Sequence, residues 1–238
     1  MWKATSHAKG LALKCHHMKN ESPLVIETFP IGSLSCNCSL LFSPVTREAI
    51  AIDPGDNITA FMHEVEKRQL KLKKILHTHA HFDHIGCSKL VKDKTGATLH
   101  LHKGDQLLYQ ALPAQAMMFG FPPSIAGKID HWIEDEEEYS LDDQALKNFL
   151  KALYTPGHTQ GSCSFYCETG NGPMLFAGDT LFQGSIGRTD LPGGDFATIK
   201  KSIKERLYRL PEETSVVTGH GPKTSIFQER RNNPYVCD

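Results

Sequence analysis

HTHAHFDH, residues 77–84, sets four histidines and one aspartate into eight positions. In an extended segment side chains two apart point the same way, so His77, His79 and His81 share a face. Lys74 to Leu76, just before them, reads as a short strand. From about Asp83 to Lys94 the apolar residues Ile85, Leu90 and Val91 recur at helical spacing. The histidines therefore sit where a strand runs into a helix, with Asp83 near the helix N-terminus. Taken alone, Asp83 suits an N-cap better than a metal ligand.

Three later stretches repeat the pattern: TPGHT at 155–159 with His158, FAGDT at 176–180 with Asp179, and TGHGP at 218–222 with His220. Each places a metal-competent side chain just beyond an apolar strand, beside a glycine that lets the backbone approach closely. One such histidine is an ordinary turn residue. Four ordered sites of this kind point to a metal centre.

The rest of the chain supplies a scaffold of mixed strands and helices. Leu24 to Phe29, Cys38 to Phe42 and Ala49 to Ile52 read as strands, the last closed by Asp53-Pro54-Gly55. A helix is expected from Asn57 to Leu70, a strand at Thr98 to Leu101 and a helix from Asp105 to Leu112. ALPAQAMMFGFPPS (111–124) reads as a surface loop packed on the core, with a lid over a substrate as the functional alternative. Strands follow at Leu150 to Tyr154, Ser162 to Cys167 and Pro173 to Ala177, then a helix at Phe196 to Leu207, a strand at Ser215 to Thr218 and a polar C-terminal segment. The fold class is α/β or α+β, in layers.

Composition narrows the function. With 238 residues, 39% hydrophobic and 22% charged, the chain suits one globular domain over residues 21–238. A net charge of −1 gives no global field for nucleic acid or an anionic membrane. No apolar stretch approaches the roughly 20 residues that span a bilayer, so no membrane partner is expected. Seven cysteines, without CxxC spacing at Cys36/Cys38 or Cys163/Cys167, read as reduced thiols in a reducing compartment. A metal role for Cys36 or Cys38 would need partners that are not nearby in sequence. Residues 1–20 read as a disordered extension carrying Lys3, Lys9, Lys14 and Lys19 without acids. A cytoplasmic location is expected, with organelle targeting by this leader as the alternative.

HAHFDH resembles the HxHxDH motif of the metallo-β-lactamase fold, and His158, Asp179 and His220 follow in the order of that superfamily. GDTLFQGSIGRTDLPGGD (178–195) is similar to the small hydroxyacylglutathione hydrolase (glyoxalase II)-like subgroup. The resemblance covers about Leu24 to Tyr235. It implies a four-layer αβ/βα sandwich with the site at one edge of two central sheets. It also implies that His79, His81 and His158 hold one metal and that Asp83, His84 and His220 hold a second. Asp179 would bridge the two, and Asp83 and Asp179 would be the catalytic carboxylates. Asp53 is similar to the aspartate that supports a ligand in the family, or is simply a turn residue in DPG. His77 lies outside the motif and is expected to be structural.

All seven ligand positions carry nitrogen or oxygen donors, whereas a closed structural zinc site usually has four ligands, often cysteine. Two divalent ions with a hydroxide between them are therefore expected, zinc first, with iron or manganese as alternatives. The family implies a thioester substrate of the S-lactoylglutathione type. A thiol of pKa about 8.5 leaves as thiolate without a dedicated acid, which fits. Arg188 falls where longer members resemble CGK with a lysine that contacts glutathione; it would clamp a substrate carboxylate or else pair with Asp190. Those longer enzymes add a helical domain after the last ligand. This sequence continues 18 residues beyond His220, so that glutathione grip is expected to be absent or replaced.

The enzymatic rival is a persulfide dioxygenase with one iron on His79, His158 and Asp179. That group shows GCGRTD, and this chain has SIGRTD. A β-lactamase is not expected, since those enzymes are exported and commonly carry cysteine at the Asp179 position. The non-enzymatic rival is a metal-binding scaffold, which a substituted ligand would have signalled.

Overall fold

The structure is a computed structural model that describes residues 24–237. The leader 1–20, with Cys15, lies outside the described residues. Two six-stranded sheets form the centre. The first runs in the order β1 (Val25–Ile31), β2 (Cys36–Phe42), β3 (Glu48–Ile52), β4 (Lys71–Leu76), β5 (Thr98–His102), β6 (His131–Ile133). The second comprises β7 (Glu138–Tyr139), β8 (Leu150–Tyr154), β9 (Cys163–Thr169), β10 (Gly172–Gly178), β13 (Ser215–Thr218) and β14 (Thr224–Ser225), ordered β14-β13-β10-β9-β8-β7. A ribbon of β11 (Leu181–Phe182) and β12 (Ser185–Ile186) stands apart.

The period-two alternation of apolar residues builds the layers. In β3, Ile50 and Ile52 face the second sheet, where they join Phe165, Phe176 and Val217 in one core. Ala49 and Ala51, alternating with them, face outward and pack with Phe61 and Val65 of α1 (Ile58–Lys67). In β10, Phe176 faces the inter-sheet core, while Leu175 and Ala177 pack outward on Ile199 and Ile203, which lie on the later helix Phe196–Glu205. Helix, sheet, sheet, helix is the resulting order, the four-layer sandwich expected.

Helices α2 (Phe82–Ile85), α3 (Ser88–Thr95), α4 (Gln106–Gln110), α5 (Leu112–Met118), α6 (Phe196–Glu205) and α7 (Ile226–Asn232) complete the chain. Asn57 caps α1 by accepting from the Ala60 amide at 3.0 Å. The single helix expected over Asp83 to Lys94 is two helices broken at Gly86–Cys87, where α3 begins anew on Cys87. The stretch 111–124 is not a plain loop. Leu112–Met118 is helical, with Pro113 in the first turn, where no intrahelical donor is required. Leu112 and Ala116 are buried against Phe82, whose ring stacks on Phe119 at 5.7 Å and lies tilted against Phe121 at 5.3 Å. The polar C-terminal segment holds β14 and α7, capped by Ser225 and closed by the buried Ile226 and Glu229.

Among the described residues no helix is long and apolar enough to cross a membrane. Their six cysteines are free, and all but Cys237 are buried.

Candidate metal centre

Strand ends deliver the site. β4 runs into His77–His84, β8 into His158, β10 into Asp179 and β13 into His220, so four loops from two sheets meet at one edge. Asp53 follows β3 with φ +50. Its carboxylate accepts from the Thr78 amide at 2.8 Å and the Thr78 hydroxyl at 2.6 Å, and Oδ2 lies 2.9 Å from His84 Nδ1. It is thus both a turn residue and a support for His84.

Two groups of donors converge. Atoms of His79, His81 and His158 lie within 4.8 Å of one another, and so do atoms of Asp83, His84 and His220. Asp179 lies between them. Its Oδ2 is 3.6 Å from His158 Nε2, while Oδ1 is 3.4 Å from His84 Nε2 and 3.8 Å from His220 Nε2. Asp83 is the second residue of α2, and its carboxylate does not cap the helix; Oδ2 stands 3.1 Å from His220 Nε2 and 3.6 Å from His84 Nε2. His77 is apart from this cluster, fully buried, with Nδ1 2.7 Å from the His100 carbonyl and Nε2 2.7 Å from Ser88 Oγ.

The partners on the far side of each ring fix where its proton sits. His158 Nδ1 faces the Arg188 carbonyl at 2.8 Å and His220 Nδ1 the Leu34 carbonyl at 3.0 Å. Carbonyls only accept, so both rings carry a proton on Nδ1 and turn Nε2 inward. His84 does the same through Asp53. The Thr78 hydroxyl donates to Asp53 and so accepts from His79 Nδ1, 3.0 Å away. His81 is reversed: its Nδ1 faces inward, 3.0 Å from both His79 Nε2 and His158 Nε2.

Nitrogens of five imidazoles and the buried Oδ1 of Asp179, which accepts no hydrogen bond, therefore point into one space. Lone pairs that close repel unless a cation lies among them, so the residues fit a metal site. Burial, and then the neighbouring rings of His84, His81 and His158, hold His79 well below the ordinary histidine value. Burial and His158 bring His81 down to about 3. Burial opposes charge on His84 too, yet Cys36, Asp179, Asp83 and Asp53 outweigh it and push that ring up. The second group thus creates a field that calls for a positive charge, which a metal ion supplies as well as a proton.

Two contacts escaped the sequence. Cys36 Sγ lies 3.4 Å from His84 Nδ1, 48 residues away along the chain, and the Cys36 backbone bridges to His220. The Arg188 backbone, rather than its side chain, touches the cluster; the guanidinium is exposed and binds Asp190 through two 2.8 Å bonds. Glycines make the crowding possible, since a Cβ at Gly219 would stand 1.9 Å from Asp179 Oδ1.

The family model described as Metallo-beta-lactamase superfamily matches residues 31–220. The chain belongs to that superfamily. This membership makes it a metallo-hydrolase whose histidine and carboxylate clusters are able to bind metal. It is 38% identical, over 89% of its length and 97% of the relative's, to a Haemophilus influenzae protein named hydroxyacylglutathione hydrolase GloC. Among solved structures it is similar to the B3 metallo-β-lactamase BLEG-1, with a TM-score of 0.79 and 35% identity over 90% of this chain and 100% of that one. It is also similar to TTHA1623 in a di-iron-bound form, with a TM-score of 0.76 and 31% identity over 88% of this chain and 99% of that one.

Proposed function

We propose that the chain hydrolyses a glutathione-type thioester, such as S-lactoylglutathione, at a binuclear metal centre. His79, His81 and His158 would hold one ion and Asp83, His84 and His220 the other, with Asp179 between the two groups. The observation that carries this reading is the inward convergence of five imidazole nitrogens around Asp179, whose two oxygens face different halves of the cluster. Two divalent ions held there would supply a nucleophilic water at neutral pH and a Lewis acid for the thioester carbonyl.

The chain's own residues do the positioning. Asp53, Thr78 and the Leu34 and Arg188 carbonyls orient His84, His79, His220 and His158, so these four rings already turn a nitrogen toward the space the ions would fill. Arg188, exposed beside the loop that carries Asp179, exchanges Asp190 for a carboxylate of the thiol tripeptide. Thiolate departure needs no dedicated acid, and the likeness to the protein named hydroxyacylglutathione hydrolase GloC supports the acyl–thiol substrate. Zinc is the leading metal, and the likeness to a di-iron-bound structure supports iron as the alternative.

The likeness to BLEG-1 supports a second reading, hydrolysis of a β-lactam at the same centre. The test is thiol release from S-lactoylglutathione by protein loaded with zinc, iron or manganese, run beside a chromogenic cephalosporin and an Asp179→Ala control. Metal-dependent thiol release that disappears in the control is the expected result. Cephalosporin turnover without thiol release would replace it with the second reading. Silence on both, with oxygen uptake on glutathione persulfide, would replace it with the dioxygenase.

A further inference from the structure

Asp105 is buried between the two loops that carry the first histidine group. Its Oδ2 accepts from the Ala80 amide and from the Thr159 hydroxyl, both at 2.9 Å, and its Oδ1 accepts from the Gly161 amide at 2.6 Å. Ala80 lies between His79 and His81, and Thr159 follows His158. One carboxylate therefore joins the loop after β4, in the first sheet, to the loop after β8, in the second.

The approach is close. A Cβ on Gly161 would meet the Asp105 amide nitrogen at 2.5 Å, and one on Gly104 would meet the Gln160 carbonyl oxygen at the same distance. Backbone packs on backbone here, so the loops remain in contact without the carboxylate. What the carboxylate adds is register: three bonds in fixed directions set how far His79 and His81 stand from His158.

We propose that Asp105 is a positioning residue for the first metal ion, setting the geometry of the His79, His81 and His158 group from behind. This rests on the metal-centre reading above and is independent of which substrate is cleaved. It gives the first group a counterpart to Asp53, which joins Thr78 to His84 behind the second. Supports of this kind typically change metal affinity or activity about 10- to 100-fold when replaced.

Asp105→Asn is the discriminating variant, because an amide accepts at only one end and turns a donor toward one of the three donors. Asp130→Asn is the control. Asp130 is likewise a clamp, accepting from the Leu99 amide at 2.9 Å and pairing with Lys92, but it touches none of the site loops. Zinc affinity of the full chain is read by chelator competition, with melting temperature alongside and no substrate present.

The expected result is that Asp105→Asn weakens one zinc about 10-fold or more, while Asp130→Asn leaves zinc affinity within about 2-fold of wild type at a similar loss of melting temperature. Where turnover is measured, excess zinc restores kcat at unchanged KM. Should Asp105→Asn not fold, Thr159→Val removes one of the three bonds and is expected to weaken the same zinc several-fold. Wild-type zinc affinity in both folded variants, or in the folded Thr159→Val alone, would make Asp105 a structural clamp only and overturn the proposal. Zinc loss in a chain that cleaves no thioester would leave the proposal standing and remove the thioesterase reading. A wild-type chain that binds no zinc, iron or manganese would remove both.

Discussion

His220 Nδ1 lies 3.0 Å from the carbonyl oxygen of Leu34, so the last histidine of the second sheet is aimed by the strand entrance of the first. The same seam continues through Asn37, whose side-chain amide donates to the Thr218 and Gly221 carbonyls at 2.9 Å each. Its backbone amide donates to the Gly219 carbonyl at 2.7 Å. A ligand loop that contributes one histidine is thereby held by four bonds from residues 186 to 181 positions earlier.

Replacing Asn37 with alanine removes two of those bonds without touching a donor atom. The expected outcome is about 10-fold weaker binding of one of two zinc ions, the other unaffected, measured by chelator competition. Equal weakening of both ions would mean that the seam supports the fold and not the second group.

Gly219→Ala puts a methyl group 1.9 Å from Asp179 Oδ1. Because the neighbouring Gly178 and His84 crowd the same point, the carboxylate must move. Turnover should fall at least about 100-fold while the melting temperature drops only modestly, since the strain is local. Wild-type kcat in this variant would show that Asp179 tolerates displacement and is not the bridging group.

Burial holds the fully enclosed His77 imidazole down to about 4 from an ordinary 6.5. A folded-state value below the unfolded one favours unfolding once protons are available. The stability is complete above pH 6.5 and is lost progressively as pH falls toward 4. At pH 5 the contribution of this one ring is about 2 kcal/mol. His77→Asn keeps a donor for the His100 carbonyl but cannot titrate. Urea denaturation of metal-free protein at pH 7 and pH 5 should therefore show a difference smaller by about that amount in the variant.

Arg188→Ala should raise KM for a glutathione thioester several-fold with kcat nearly unchanged, since the side chain contacts Asp190 and not the cluster. Asp190→Asn should lower KM by freeing the guanidinium. If neither variant changes KM, the pair is a surface ion bridge, of little energetic consequence at its exposure.

The fold was legible wherever burial imposed a period. The longer strands of both sheets are apolar runs and helix α1 carries helical spacing, and the layered class followed from them, whereas the short strands β6, β7 and β14 were not legible. Helix α5 was obscured by Pro113 and the apolar run around it, which reads as a break until Pro113 is seen in a first turn. Helix α7 was hidden by IFQERRN, whose buried Glu229 looks like surface in sequence but binds the Gly184 amide and the Thr224 hydroxyl. The donor residues were legible because their types and glycine neighbours are local features. Their supports were not. Asp105 and Ala80 are 25 residues apart, Cys36 and His84 are 48, and Asn37 and Thr218 are 181, and nothing along the chain announces such pairs.

The candidate ligands come from both sheets: four from the loop after β4, and one each after β8, β10 and β13. Asp179 and His220 of the second sheet face Asp83 and His84 of the first, so ions held among them would act as rivets across the open edge of the sandwich. Metal supply would then set the lifetime of the folded chain as well as its chemistry. In a cell depleted of the right ion, this protein should be cleared before it is merely inactive, with abundance tracking metal while transcript stays level.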